Sequence, residues 1–476
     1  MRYSMLIYLT RMSRTLLEAA EYLTVCPKED PVREELLENG RQMMDQIRVV
    51  LERHQQDLKS SGPMDYLNEI KENWGARGVE CAAAIQQFAK CLTQEVRYQV
   101  RAVFFAELGE KWDSMESVYW FMRNDPRFDP VVVLTPIYRQ IQKNGRTNQE
   151  VIYKDYLTPM GIPFYRYDKY SLKEDCPDLA FISQPYESCT PREFWPEYIV
   201  KHTRLVYLPY FLPDLVTANA VTSLAQLPVY RYAWKVICST KKHYNFYCKN
   251  SVHNGVNALL TGIPKLDGLV SLPGKGIERP KGWESLEAKK VFLWNSWYDI
   301  GVSSLRYFDD LLDWFQRHTD CALLWRMHPM TDTVTKLYHA DLYQELLKKV
   351  QYAETFPNVV LDRETSYKAA FYYSDAQISD YSSLLPQYLL IDKPALLINS
   401  PAFSFTGEEF IEGKWMEKAD GASEILSFLE RIYAGEDRKV KLRKTIRQRD
   451  LPLADGRCAE RICEMLWTEL HREDLC

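Results

Sequence analysis

The chain has 476 residues, 46% of them apolar and 26% charged. That length and balance suggest about three soluble globular domains and exclude a collagen-like or largely disordered chain. With 60 basic and 65 acidic side chains the formal charge is −5 and the pI is near 6.0, which excludes a basic nucleic-acid-binding surface spread over the whole chain.

The 11 cysteines are odd in number, scattered, and contain no C-x-x-C pair. Free thiols in a reducing compartment are therefore expected, rather than a disulfide framework or a zinc ribbon. The opening apolar run, residues 5–9, is short and is followed at once by Arg11 and Arg14, so it does not read as a signal peptide. No run of about 18 to 20 apolar residues follows, so no membrane-spanning helix is expected.

In chain order, residues 1–97 read as helical. Apolar residues return with a helical period at Leu16, Ala20 and Leu23, then at Leu36, Met43, Ile47 and Leu51. Ser60-Ser61-Gly62-Pro63 reads as a break, and a further helical stretch covers 79–92. Over 98–270 the pattern changes to short apolar runs at 100–106, 131–135, 179–183, 205–208 and 235–238, with a helix at 112–123. Residues 268–283 hold Pro273, Gly274, Gly276, Pro280 and Gly282 and read as a linker. Over 284–476 the alternation resumes, with strands at 291–294, 322–325, 359–361, 376–378 and 395–398. Helices are predicted at 305–317, 338–352 and 457–470. Strands alternating with helices predict an α/β fold: two Rossmann-like, doubly wound halves facing a cleft, preceded by an all-α N-terminal segment. Ligands of such sheets sit at the carboxyl ends of the strands, so the cleft is the expected site.

Four stretches carry candidate chemistry. Ser379-Asp380-Tyr381-Ser382-Ser383 follows an apolar strand and leads into a helix. Amides at a helix N-terminus beside two hydroxyls suit a phosphate; the plainer reading is that Ser382 and Ser383 cap the helix. Arg326 and His328 stand two residues apart where a strand ends, on one side by strand alternation. Both suit a phosphate, and His328 can move a proton; the plainer reading is a structural histidine before Pro329. Asn295 and Ser296, with Ser303 and Ser304 beyond the loop, repeat the strand, polar loop, helix arrangement, and Trp294 and Trp297 read as packing. Gly262-Ile263-Pro264-Lys265-Leu266-Asp267 is a turn at the domain boundary, whose plain reading is a surface hinge with Lys265 and Asp267 as a salt bridge. A basic run, residues 438–449, includes Lys439, Lys441, Arg443, Lys444 and Arg447. It suits either an anionic surface or a solvated helix face.

Together these stretches resemble the CDP-glycerol glycerophosphotransferases, the teichoic-acid primase and polymerase family. The matching pieces are the Gly262–Asp267 turn, Arg326-Met327-His328-Pro329 and Ser379–Ser383, with Asp455-Gly456-Arg457-Cys458 opening a closing helix similar to the family's. The resemblance implies a GT-B architecture and transfer of glycerol phosphate, or a similar alditol phosphate, from a CDP-linked donor. The acceptor it implies is a hydroxyl of a lipid-linked or polymeric glycan. It implies no metal or other cofactor and no nucleic-acid partner. The family commonly acts at the inner face of the bacterial membrane, so the expectation is a cytoplasmic protein in peripheral contact with that face. Donor contacts then fall to Arg326, Asp380, Ser382, Ser383, Asn295, Ser296, Ser303, Ser304, Gly262, Lys265 and Asp267, with His328 catalytic. The sequence departs from the family where a His-Gly usually follows the strand at 205–208. Pro209 and Tyr210 stand there, and Trp297-Tyr298 replaces the family's Trp-Arg. Asp113 and Tyr210 become candidates for the missing base, with His253 behind them. Two other readings keep the fold: a GT-B glycosyltransferase using a nucleotide sugar, and a catalytically dead nucleotide-binding or scaffold module.

Overall fold

Residues 1–97 form the helices that their periodicity predicts: Tyr3–Val25, Pro31–Arg53, Gly62–Asn73 and Glu80–Glu95. This computed structural model describes residues 1–76, 79–143, 146–211, 225–272, 276–400 and 411–474. The Ser60–Pro63 break opens the third of these helices, because proline is tolerated in a first turn whose amides have no helical partner. The four helices enclose a core of their own around Leu9, Leu16, Ile47, Leu51 and Phe88.

The strands of the first half are β1 (Val100–Ala106), β2 (Phe128–Leu134), β3 (Ile137–Lys143), β4 (Arg146–Ile152), β5 (Phe164–Arg166), β6 (Leu179–Ile182), β7 (Arg204–Tyr207), β8 (Lys235–Cys238) and β9 (Ala258–Leu260). Those of the second half are β10 (Lys290–Ser296), β11 (Cys321–Met327), β12 (Val359–Leu361), β13 (Ala376–Ser379), β14 (Ala395–Ile398) and β15 (Glu417–Ala419). Among the described residues, one parallel sheet has the order β5-β2-β1-β6-β7-β8-β9 and the other β12-β11-β10-β13-β14-β15. The expected mixed α/β architecture with its helical N-terminal segment is present. The antiparallel β3–β4 hairpin was not predicted; its residues alternate with too few apolar side chains to read as a buried strand.

Both sheets reverse their strand order beside their first strand, between β1 and β6 and between β10 and β13. A crevice opens at such a switch point, beyond the carboxyl ends. The central strands are buried on both faces, as parallel strands covered by helices must be. Phe104 of β1 stacks on Phe181 of β6 with centroids 4.4 Å apart, and Trp294 of β10 on Trp325 of β11 at 5.0 Å. Trp294 is thus packing, as read from the sequence.

The closing helix, Cys458–Asp474, packs on the first sheet. Ile462, Leu466 and Leu470 share a core with Phe104 and Val132, so the chain ends on the sheet it built first. Tyr3 of the opening helix donates to the Leu470 carbonyl at 3.0 Å. Pro273 and Gly274 of the expected linker lie outside the described residues, and 276–280 carry no regular structure. No described helix is long and apolar enough to cross a membrane. All described cysteines are free thiols, most of them buried.

Part of the basic run is paired. Arg443 is buried between Asp392 at 2.9 Å and Asp437 at 2.6 Å, and Arg449 meets Glu412 at 2.6 Å and Asp450 at 2.7 Å. Arg443 is therefore part of the fold and no element of a basic surface.

Candidate active site

Strands β10, β11 and β13 bring Asn295 level with Arg326 on one side and Ser379 on the other. Most polar groups at this switch point are turned inward. The Asp380 carboxylate accepts from the Trp297 amide at 2.8 Å, the Ser304 amide at 2.9 Å and the Ser304 hydroxyl at 2.7 Å. Ser304 in turn accepts from the Trp294 indole at 2.9 Å. Asn295 accepts from the Gln377 amide group at 2.6 Å, Ser296 from the Trp325 indole at 3.3 Å, and Ser303 from the Leu305 amide at 3.3 Å. Asp380, Asn295, Ser296, Ser303 and Ser304 are buried, and their hydrogen bonds fix the loop between residues 296 and 304. In this structure each of them takes part in this framework: Ser304 donates and accepts, while the Asn295, Ser296 and Ser303 side chains each accept one bond.

Arg326 is similarly engaged. It donates to Asp362 at 2.5 Å and to the Thr365 carbonyl at 3.1 Å, pinning the segment that leads to Tyr367. His328 stands just beyond it, half-buried, with Trp297 and Tyr298 rings 6.0 and 5.2 Å away. Its Nδ1 accepts from the Met330 amide at 3.1 Å, which leaves the proton of the neutral ring on Nε2. Burial first, then the nearby Arg139 and Arg326, push its pKa down to about 4. At neutral pH His328 is therefore a hydrogen-bond donor through Nε2, and its nearest cationic neighbours disfavour the imidazolium.

Ser382 accepts from the Leu384 amide at 3.2 Å, and Ser383 is exposed. The helix they introduce, Leu384–Tyr388, is a single short turn, too short to carry the macrodipole that the sequence pattern suggested. Ser383 does not cap it with its side chain. The two hydroxyls remain the polar groups on this loop that face away from the core.

The Gly262 turn is buried, contrary to its plain reading as a surface hinge. Gly262 has φ +85°, and a Cβ there would sit 2.6 Å from Cys458 Sγ and 2.9 Å from the Leu453 carbonyl. Asp267 accepts from the Cys458 and Ala459 amides at 3.0 and 2.9 Å, so it caps the closing helix. The resemblance between the Gly262 turn and the closing-helix motif is physical contact: one holds the other. Lys265 pairs with Asp113 at 3.3 Å, not with Asp267.

Asp113, inside the helix Gly109–Asn124, also accepts from the Tyr367 hydroxyl at 2.9 Å, and Tyr367 reaches Gln387 at 2.6 Å. Asp113 is thus the first-half end of a buried chain of contacts into the second half, and its Oδ1 has no hydrogen-bond partner. Burial pushes its pKa up while Lys265 lowers it. Tyr210 stands just beyond β7. Burial pushes its phenol up to about 12, away from neutrality, and Lys111 Nζ lies 4.7 Å from its ring centre. His253 bonds the Arg231 carbonyl at 2.7 Å in the turn before β9.

Three side chains at the cleft were not singled out from the sequence. Arg139 comes from the unpredicted hairpin. Tyr367 sits in a loop with no motif. Glu107, the first residue after β1, carried a signal: an acidic residue directly at the carboxyl end of a buried strand.

A sequence model described as CDP-glycerol:poly(glycerophosphate) glycerophosphotransferase matches residues 217–468, more than half of the chain. No curated protein matches it. A putative UDP-N-acetylglucosamine 2-epimerase from Listeria monocytogenes is 12% identical with TM-score 0.54, covering 79% of this chain and 97% of that one. The UDP-GlcNAc 2-epimerase of Neisseria meningitidis, bound to UDP-GlcNAc, is 13% identical with TM-score 0.52, covering 78% and 100%. A variant of the wall teichoic acid polymerase TagF is 12% identical with TM-score 0.51, covering 87% and 99%. At these identities the likeness is one of fold, and the fold is GT-B-like.

Proposed function

The chain belongs to the CDP-glycerol:poly(glycerophosphate) glycerophosphotransferase family, and from that premise we propose how its residues divide the work. The enzyme transfers glycerol phosphate from CDP-glycerol to an acceptor hydroxyl in teichoic-acid-like polymer synthesis and releases CMP. The acceptor hydroxyl attacks the phosphorus that carries glycerol. A new P–O bond forms, and the bond from that phosphorus to the bridging oxygen breaks, leaving its electron pair on CMP.

The observation that carries the site assignment is His328: neutral, half-buried and offering Nε2–H at the carboxyl end of β11. A fixed donor aimed at an oxygen that gains negative charge lowers a phosphoryl-transfer barrier without reorganising. His328 donates to the diphosphate as CMP departs. Ser382 and Ser383 bond the other phosphate, and Arg326 and Asp380 hold the loops that present these groups. Residues 284–476 then supply most of the donor site, and residues 98–270 present the acceptor, a lipid-linked or polymeric chain met at the cytoplasmic face of the membrane.

The test is a donor panel with wild-type protein and a glycerol-phosphate-ended acceptor. CMP release from CDP-glycerol should exceed nucleotide release from UDP-sugars by at least about 100-fold, the discrimination a site built for one donor can give. Preference for a UDP-sugar would overturn the reading.

A further inference from the structure

Both crevices leave a buried amide oxygen unpaired, Gln184 in the first and Gln377 in the second, but the first also leaves a carboxylate oxygen open, and it does so in a pocket. The floor of the first is a narrow pocket lined by Glu107 and Thr135, which follow β1 and β2, and by Gln184, Tyr186 and Thr190, which follow β6. Glu107 is 3% exposed and Gln184 7%. Glu107 Oε2 and Gln184 Oε1 have no hydrogen-bond partner, and Lys111 Nζ reaches Glu107 only at 4.0 Å. Burying an ionisable carboxyl without donors is costly. Two acceptors left open side by side at a switch point are the arrangement expected where a ligand brings an O–H group.

The pocket also lies against the donor half. Two residues beyond Glu107, a Cβ at Gly109 would approach Thr365 Cγ2 to 3.2 Å, and the Thr365 carbonyl accepts from Arg326. On its other side stands Tyr210, at the position where the family's usual histidine is replaced.

We propose that Glu107 is the base of this enzyme, taking the proton of the acceptor hydroxyl in a subsite that admits a single hydroxyl and whose second acceptor is Gln184 Oε1. This rests on the glycerophosphotransferase reading above. The hydroxyl oxygen bonds to the glycerol-bearing phosphorus, CMP leaves with the electron pair of the broken P–O bond, and the proton moves to the Glu107 carboxylate. Burial raises the carboxyl and Lys111 partly offsets it, bringing the group nearer to neutrality, where a base works best. The other titratable groups facing it are Tyr210, Tyr186 and Glu187. Both tyrosines are pushed above their ordinary range and stay protonated.

The experiment compares wild type, Glu107→Gln, Glu107→Asp and Asp113→Asn in CMP release from CDP-glycerol across pH 5 to 9. CDP-glycerol affinity is measured alongside by calorimetry. Glu107→Gln should lower kcat by roughly 100-fold or more, leave CDP-glycerol affinity within about two-fold and abolish the acid limb of the profile. Glu107→Asp should restore part of the rate, and Asp113→Asn should keep the acid limb. An active wild type with Glu107→Gln equally active, or with the acid limb lost in Asp113→Asn instead, would overturn the assignment alone. A wild type that releases no CMP from CDP-glycerol would overturn the underlying reading and the assignment with it.

Discussion

The two sheets share a strand order and a switch point, yet their crevices are finished differently. In the second, Asp380 gathers donors from Trp297 and Ser304 across the crevice, and Asn295 and Ser296 are closed off by Gln377 and Trp325. In the first, Glu107 and Gln184 are equally buried and keep open acceptors. A shared strand order around the switch point therefore yields a heavily cross-bonded frame on one side, with the Gln377 oxygen of its strand-end groups left open, and a pocket with an open carboxylate oxygen on the other. A switch point becomes a site only where its polar groups are left for the ligand.

That contrast can be broken at either end. The largest effect is expected at His328, an open donor of the framed crevice. His328→Ala should cut CMP release by about 10² to 10³-fold, the usual loss for a fixed transition-state donor, while chemical denaturation shows little change in stability. Next, Asp380→Ala should cost about 3 kcal/mol in denaturant unfolding, because it strands two amides and a hydroxyl. Glu107→Gln should change stability by less than about 1 kcal/mol, since it removes a buried charge rather than a hub of bonds. Equal losses for Asp380→Ala and Glu107→Gln would erase the distinction between frame and pocket. At the seam between the halves the loss should be smaller than at Asp380: Asp267→Ala should lower stability by about 1 kcal/mol, the usual value of a helix cap, read as a shift in the urea midpoint.

The strands at 100–106, 235–238, 359–361 and 395–398 were legible because buried parallel strands are continuous apolar runs. The motif residues were legible as positions but not as roles. Asn295, Ser296, Ser303 and Ser304 have the spacing of a ligand loop; nothing local reveals that Asp380, just beyond another strand, takes the Ser304 amide and hydroxyl, or that Gln377 and Trp325 donate to Asn295 and Ser296. Lys265 and Asp267 read as partners because they are neighbours, whereas the fold sends one to Asp113 and the other to Cys458. Glu107 was passed over because a lone acid after a strand has no pattern of its own. It gains meaning only when β6 brings Gln184 beside it. Tyr210 was legible as a departure from the family, and burial moves its phenol further from neutrality.

The Gly262 turn has a mechanical consequence. Ile263 and Leu266 already pack with the second sheet's core, while the helix from Cys458 returns to the first, so the backbone crosses between the halves twice. The two crossings touch, Gly262 against Cys458, and Asp267 bonds them together. The two crossings are therefore tied to each other, and moving one moves the other. Any side chain at position 262 would wedge that contact open and alter the reach between Glu107 and His328 without touching either.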